Sequence, residues 1–403
     1  MTGRPRNIIR DILQYIALLL APFLTALVVV SIAPILPNLA NYFAASGQAN
    51  SEFLAKMALA GPSLMIAVGA PLAGFAAEAV GRKRAFIAFL SLFGVAGFAC
   101  GLPLPAAAFV GLRLAVGLGG GGIAALGTAL AADLYTGRAR DRLIGYGAAL
   151  AAVLSTASLM AEGVLVRAFG WQSVFALFLV AIPVLAAGLI GIPADEKPAG
   201  ADRGATHSVA RAWPLYLLIV IFATAIFMMF TVGQFLFVHA GIEDEATRST
   251  LLSIVSFGSG VAAASYGWVR TWFSNNVILV FSGLLLGLSY IAAGYAHSPV
   301  SFGLVVLATG IGGGMPAPAL LMAVVGAVPP LARGRAVGIG FCLFYFGQFL
   351  TPIVFAPFQA ALDLTGGITA FGAVFTVVAV GLAFTPMGRD AKSASPRLVP
   401  AEK

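Results

Sequence analysis

The chain has 403 residues, of which 60% are apolar and only 9% are charged. A soluble globular domain carries about a quarter charged residues, so this composition excludes one and predicts an all-α membrane protein. The formal net charge is +8, but the basic residues lie in small groups at the ends of apolar segments rather than in one patch. Their placement indicates membrane topology and no nucleic-acid partner.

Twelve apolar segments of helix length follow one another, separated by glycine, proline or charge. Each is long enough to cross a bilayer as a helix. The first segment is too long for the apolar core of a cleavable signal peptide, so we take it as the first span. Twelve spans place both chain ends on one side of the membrane. The segments cover roughly residues 12–38, 53–77, 85–103, 105–132, 143–168, 172–192, 214–239, 248–270, 276–296, 299–326, 336–361 and 367–387.

The distribution of Lys and Arg orients these spans, because cytoplasmic loops are enriched in both residues. Nineteen of the 23 basic residues fall on the side of the N-terminus. Lys56, Arg167 and Arg248 lie near the opposite side, and Arg113 lies inside a span. We therefore expect both termini in the cytoplasm.

The chain contains an internal repeat. A shift of 193 positions places Gly117–Gly121 on Gly310–Gly314 and Arg140–Gly147 on Arg333–Gly340, without a gap over about thirty residues. The repeat predicts two pseudo-symmetric six-helix halves with a site between them. We expect a first half at 1–192, a polar linker at 193–213, a second half at 214–388 and a tail at 389–403.

A charged turn interrupts the apolar sequence between the second and third segments. It runs from Gly74 through Glu78 and Gly81 to the basic run 82–84. This turn resembles the loop between the second and third spans of major facilitator superfamily transporters. It departs from the usual pattern because Glu78 replaces an aspartate and Ala79 replaces a basic residue.

The resemblance implies that two halves rock about a central cavity lined by spans 1, 4, 7 and 10. It also implies a cytoplasmic latch, by which we mean contacts that hold the outward-open state: Glu78 would meet a helix N-terminus of the other half, and Asp133 would lie level with Arg82. The alternative is that these are solvated charges that only set topology. The repeat puts Thr271 opposite Glu78, so the second half lacks its own copy.

Arg113 and Glu162 are the ionisable residues placed deep inside spans. A charge there costs at least ~2.5 kcal/mol, so each needs a partner or water. The two residues lie at similar distances from the loop near Arg138, so we expect them to pair directly or through water. The pair is either a static structural contact or a proton-coupling and solute-binding element.

The major facilitator resemblance supports the second interpretation, because Arg113-x-x-x-Gly117 matches the arginine-then-glycine pattern of the fourth span. The turn Phe169-Gly170-Trp171 also matches drug:proton antiporters of the family. The Gly-Pro pattern that these antiporters carry in the fifth span is missing, and Glu162 takes a glycine's place. Antiport is therefore less secure than transport.

Methionine, aromatic and amide side chains in the second half are candidates to line the cavity. Stripes of Met and Phe often only face lipid or pack; in a cavity they suit a small amphipathic or organic-anionic solute. The candidates are Met228, Met229, Gln234, Met315, Tyr345 and Gln348.

We therefore expect a monomeric secondary transporter of the bacterial inner membrane, resembling the twelve-span drug:proton antiporter branch. Its partners would be a small-molecule substrate, protons and the lipid bilayer. The proton gradient would supply the energy, with no cofactor and no metal, since no His or Cys has metal-ligand spacing. Proton symport or facilitated uptake is the alternative, and a transporter-fold receptor or lipid scramblase is a remote one. No nucleophile and base lie at helix spacing, which argues against an enzyme.

Overall fold

A computed structural model describes residues 8–193, 212–329 and 333–384, except the side chains of 137, 141 and 333–335. Over these residues the chain is helical throughout, which confirms the all-α prediction. Most of the expected linker and the expected tail lie outside the described residues. The α-helices are α1 (Ile8–Val30), α2 (Leu36–Ala45), α3 (Ser51–Val80), α4 (Arg82–Ala99), α5 (Ala106–Leu134), α6 (Gly137–Phe169), α7 (Ala181–Gly191), α8 (Trp213–His239), α9 (Glu245–Trp272), α10 (Asn275–Ala293), α11 (Pro299–Gly314), α12 (Pro316–Ala327) and α13 (Arg333–Ala383).

Several spans consist of more than one helix. The first contains α1 and α2 with a break at 31–35, and the sixth contains a 3₁₀ helix (Trp171–Val180) followed by α7. The tenth contains α11 and α12, and α13 is two helices joined at Asp363. Ten stretches of the described residues are long and apolar enough to cross a membrane. Dividing α13 and adding α4, which starts with three basic residues, gives the twelve expected spans.

Residues 193 positions apart pack in the same way in the two halves. A Cβ at Gly117 would meet the Pro62 backbone, and a Cβ at Gly310 would meet Val255, the residue 193 positions after Pro62. The corner after each fifth helix matches too, because Gly170 (φ 81°) and Asp363 (φ 65°) both have positive φ and lie 193 positions apart. We call α1–α7 the first half and α8–α13 the second half.

The two halves meet through α3 against α13 and α6 against α9. At Gly163 in α6, the backbone of Ala246 in α9 lies close enough to exclude a side chain. We call this side of the molecule, which carries the α2–α3 and α8–α9 loops, the distal face, and the opposite side, where α1 begins, the terminal face. Toward the terminal face a Cβ would meet open space at Gly74, Gly145, Gly267 and Gly338, and the hydrogen bonds and ion pair that join the halves among the described residues lie at the distal face or, for Cys342 with Ala67, in the middle of the spans. The structure is closed at the distal face and open at the terminal face.

Candidate functional site

Arg113 is completely buried in α5. Its Nε donates to the carbonyl oxygen of Ala58 at 3.1 Å, and its Nη2 donates to the carbonyl oxygen of Val28. The third nitrogen, Nη1, is buried and has no hydrogen-bond partner among the described residues. The guanidinium is therefore held by main-chain oxygens of α3 and α1 rather than by a carboxylate.

Glu162 is completely buried in α6. Neither of its carboxyl oxygens has a hydrogen-bond partner in the described part of the chain. The next residue, Gly163, packs against Ala246 and Ser249 of α9. Glu162 therefore lies beside the contact between the two halves, at the side that is closed.

The direct pair expected between Arg113 and Glu162 is not formed. Helix α5 packs mainly against α3 and α4, whereas α6 packs mainly against α9 and α1. Arg113 points toward α1 and α3, and among the described residues neither a hydrogen bond nor an ion pair joins it to Glu162, so similar depth in the membrane does not pair them. Depth follows from the sequence, but the rotation of each helix about its axis does not.

Lys56 lies in the other contact between the halves and is almost fully buried. Its Nζ donates to Glu52 Oε1 at 2.5 Å and to Gln359 Oε1 at 2.7 Å. Gln359 in α13 also donates through Nε2 to Glu52 Oε1, at 3.0 Å. The ammonium lies 4.8 Å from the ring centroid of Phe235 and 5.4 Å from that of Phe355, within cation–π range. These groups join the halves at the distal face.

Two further polar contacts cross between the halves there. Asn38 in α2 donates to Glu245 Oε1 at 2.8 Å, and Arg167 at the end of α6 forms an ion pair with Asp244. Asp244 caps α9, and hydrogen bonds from Thr247, followed by the Arg167 contact, lower the pKa of its carboxyl to about 2. Asp244 therefore stays ionised over the physiological pH range.

The residues expected to form a cytoplasmic latch lie at the terminal face. Arg82 and Asp133 form an ion pair, but both belong to the first half. Gly81 has φ 92° at the turn between α3 and α4, a value that favours glycine. Glu78 and Gly74 are exposed. The terminal face is open, and among the described residues Glu78 has no hydrogen bond or ion pair with the second half.

The cavity candidates are distributed over three helices of the second half. Met228, Met229, Gln234 and Gln348 are buried, while Met315 and Tyr345 are partly buried. Both amide groups lack hydrogen-bond partners among the described residues. The two amides lie at different depths. Thr351, one turn from Gln348, donates to the Thr224 carbonyl, so Gln348 is near the level of Thr224 in α8. Gln234 is ten residues beyond Thr224, which is about 15 Å further along α8. A small apolar cavity of about 50 Å³ lies between Phe222, Leu321 and Phe344.

The Major Facilitator Superfamily model matches residues 18–352. The chain belongs to this superfamily. Solved structures agree on the fold: the chain superposes on the POT family transporter PepTSo with a TM-score of 0.74 at 12% identity, covering 92% of this chain and 97% of that one. The xylose transporter XylE from E. coli gives a TM-score of 0.70 at 15% identity, with 94% and 99% covered.

Curated relatives of this major facilitator protein include a "putative niacin/nicotinamide transporter", NiaP of Bacillus subtilis. It is 24% identical over 295 residues, which cover 62% of this chain and 72% of NiaP. The "drug efflux pump" JefA of Mycobacterium tuberculosis is 31% identical over 146 residues, 35% of this chain and 28% of JefA. The "multidrug resistance protein" Stp of the same organism is 32% identical over 154 residues, 38% of this chain and 27% of Stp. The matches thus span about a quarter of the two efflux proteins.

Family membership makes the chain a membrane transporter rather than an enzyme. The polar contacts at the distal face were not predicted from the sequence. Lys56 and Arg167 were used there only to orient the spans. One signal was available: Glu52 and Lys56 are four residues apart, the spacing of an ion pair on one helix face. Glu245 lies 193 positions after Glu52, and it too accepts an amide from the opposite half.

Proposed function

We propose that this transporter exports a small amphipathic or organic-anionic solute by alternating access, in exchange for protons carried by Glu162. The observation that carries the proposal is a fully buried carboxyl group without a hydrogen-bond partner among the described residues, next to a contact that must separate when the distal face opens. Arg113 is not part of the proposed proton carrier, because its Nε and Nη2 are engaged by backbone oxygens.

The energetics of burial relate the protonation of Glu162 to the closing of the distal face. Burying an unpaired ionised carboxylate costs several kcal/mol, so the closed contact favours the neutral acid. Opening the distal face separates α6 from α9 and lets water reach the carboxyl group. Protonation would then favour distal closure and deprotonation would favour distal opening, which is the order of events that antiport requires.

The nearby arginines are engaged by other groups and so do not neutralise Glu162 in place of a proton. Arg167 is paired with Asp244, and Arg248 donates to the Ile242 and Glu243 carbonyls and lies 3.8 Å from Glu245. Helix α1, which also packs on α6, carries Arg10 and Asp11 at the terminal face, far from the depth of Glu162.

The solute class rests on the second half and on the relatives. Gln234 and Gln348 offer buried amide groups that have no hydrogen-bond partner in the described part of the chain, and Met228, Met229, Met315 and Tyr345 offer apolar and aromatic surface. This mixture suits an amphipathic molecule better than a sugar. The names of JefA and Stp, a drug efflux pump and a multidrug resistance protein, favour export.

The proposal includes an orientation and a second conformation. The distribution of Lys and Arg supports a cytoplasmic terminal face, in the inner membrane of a bacterium and in a monomeric protein. The open terminal face then faces the cytoplasm. In the outward-open state, the cytoplasmic latch of Gly74, Glu78, Gly81, Arg82 and Asp133 would contact the second half.

Proton symport or facilitated uptake is the second candidate. NiaP, named as a niacin/nicotinamide transporter, matches a larger part of this chain than JefA or Stp does. Glu162 would carry the proton in symport as well, and only the direction of solute movement differs.

The test is flux in proteoliposomes under an imposed pH gradient, with fluorescent norfloxacin as an amphipathic probe and labelled nicotinate as a small anion. We expect the parent protein to move a probe uphill against proton flow, and Glu162→Gln to move it only down its own gradient. Glu243→Gln is the matched control, because Glu243 is exposed and outside the spans. Equal uphill movement by the parent and Glu162→Gln would contradict the proton role, and uphill movement in the direction of proton flow would establish symport.

A further inference from the structure

We infer that Arg113 is a positioning residue whose guanidinium replaces the backbone donors missing from two interrupted helices, and thereby sets the distal contacts of the first half. This role goes beyond the proposed function, since it requires no exchange of charge with Glu162 or with solute. Three observations support it. Arg113 bonds two carbonyls that lack their helix donors, these carbonyls lie where the segments with the distal contacts begin or end, and the second half lacks both the proline and the arginine at the equivalent positions.

The first carbonyl belongs to Ala58 in α3. In a regular helix it would accept from the N–H of the residue four positions later, but that residue is Pro62, which has no N–H. Arg113 Nε donates to the Ala58 oxygen at 3.1 Å and fills the vacant position. Gly117, one turn further along α5, packs directly on the Pro62 backbone, so this close approach places the arginine level with the interruption.

The second carbonyl belongs to Val28, near the end of α1. The N–H of Ile32 would reach it if the helix continued, but α1 ends at Val30, and Ile32 donates instead to the Val29 oxygen at 3.4 Å. Arg113 Nη2 donates to the Val28 oxygen. One guanidinium thus completes the backbone bonding at both interruptions, where an unpaired carbonyl would be costly in the interior of a membrane protein.

The segments beyond these interruptions carry the distal contacts of the first half. The break after α1 leads into α2, which holds Asn38 against Glu245 of the second half. The part of α3 before Pro62 carries Glu52 and Lys56, which bond Gln359 of the second half. The direction of α2 and of the start of α3 therefore depends on the geometry at the two interruptions that Arg113 bonds.

The second half supplies a natural comparison. The residues 193 positions after Pro62 and Arg113 are Val255 and Val306, both buried and apolar. The proline and the arginine are thus present together in one half and absent together from the other. A second proline in α3 shows the same chemistry: Pro71 leaves the Ala67 carbonyl without its helix donor, and the Cys342 thiol donates to it at 3.6 Å.

Pro62→Ala provides the test, because alanine restores the N–H that the Ala58 carbonyl lacks. Spin labels at Gln48 and His297, exposed on the distal loops of the two halves, report the distal distance by pulsed EPR; they are attached through a non-canonical amino acid, so that Cys342 keeps its contact with Ala67. We expect Arg113→Gln to increase the ratio of open to closed distal populations roughly tenfold, the size set by losing one or two buried hydrogen bonds. Adding Pro62→Ala should return the distribution toward that of the parent.

Pro71→Ala is the matched control, since it restores a donor to Ala67 instead and should not rescue Arg113→Gln. If Arg113→Gln alone gives no folded protein, recovery of a monodisperse peak on gel filtration with Pro62→Ala, and not with Pro71→Ala, is the expected result. An unchanged distal distance in Arg113→Gln, or equal effects of the two proline substitutions, would overturn the inference.

The Glu162→Gln background separates this role from charge exchange. A positioning residue acts on distal closure whether or not Glu162 can take up a proton, so Arg113→Gln should raise the open to closed ratio in that background as well, whereas a partner of the Glu162 proton would have no effect there. No effect of Arg113→Gln in the Glu162→Gln background would therefore overturn the inference. The EPR measurement needs no transported solute, so it remains decisive if the proposed proton-coupled export fails.

Discussion

The two contacts between the halves occupy equivalent places in the repeat but differ in chemistry. In the α6–α9 contact, Glu162 precedes Gly163, which packs against Ser249 of α9. Their counterparts 193 positions away in the α3–α13 contact are Phe355 and Lys56, with the ammonium over the ring. One contact thus holds an unpartnered acid, and the other holds a cation with a carboxylate, an amide and two rings.

Because of this difference, we expect only one of the two equivalent contacts to depend on protonation. The Lys56 ammonium is bonded by Glu52 and Gln359, so that contact can close around an ion pair without a change of protonation. Glu162 has no such partner among the described residues, so its contact closes at lowest cost when the carboxyl is neutral. We expect proton dependence to be confined to the α6–α9 side.

The largest effect is expected from removing the partner of the buried cation. Glu52→Gln leaves Lys56 with only an amide and rings, and should destabilise distal closure by about 2–3 kcal/mol, discounted because Glu52 is partly exposed. Pulsed EPR across the distal face would measure the shift. The double variant Glu52→Gln/Lys56→Met should recover most of it, and a double variant that is worse than the single one would contradict the assignment.

Close helix packing should be equally sensitive in the two halves. Gly121 faces the Ile66 backbone and Gly314 faces the Ser259 backbone, so Gly121→Ala and Gly314→Ala should each cost about 1–3 kcal/mol through overpacking. The thermal midpoint in detergent, followed by tryptophan fluorescence, would measure the loss. Gly74→Ala and Gly267→Ala, which meet open space, are the controls; equal losses at all four sites would show that packing is not the cause.

A smaller effect is expected from the amide that joins Lys56 and Glu52. Gln359→Leu removes two hydrogen bonds but leaves the ion pair, and should weaken distal closure by about 1 kcal/mol. Val164→Leu, on the exposed side of α6, is a control substitution that should have little effect on the same EPR distance. Equal effects of the two leucines would contradict a specific role for the amide.

The smallest effect concerns pH and the Arg167–Asp244 pair. The pKa of Asp244 is lowered to about 2, so its stabilising contribution is complete above its ordinary value and is lost only as pH falls through about 2. Between pH 5 and 8 Asp244→Asn should therefore leave the pH dependence of the distal distance unchanged, while Glu162→Gln should abolish it. A pH dependence that persists in Glu162→Gln would place the titrating group elsewhere.

The sequence predicted the depth of Arg113 and Glu162 but not their packing. The sequence placed Arg113 and Glu162 inside spans at similar depth, and both are buried. It did not predict that they are not paired with each other, because a helix that is apolar on all sides has no pattern that reveals its rotation. Lys56 was overlooked since its partner Gln359 lies about 300 positions away.

Composition, the spacing of apolar segments and the repeat by themselves determined an all-α membrane protein with twelve spans in two related halves, because the bilayer requires continuous helices of a set length. Only the tertiary structure decided which half-to-half contacts are closed, that Glu162 lies beside one of them, and that Arg113 bonds the carbonyls of Ala58 and Val28. A carbonyl left free by a proline is visible in the sequence. The donor that reaches it depends on how the helices pack, which is a property of the folded chain.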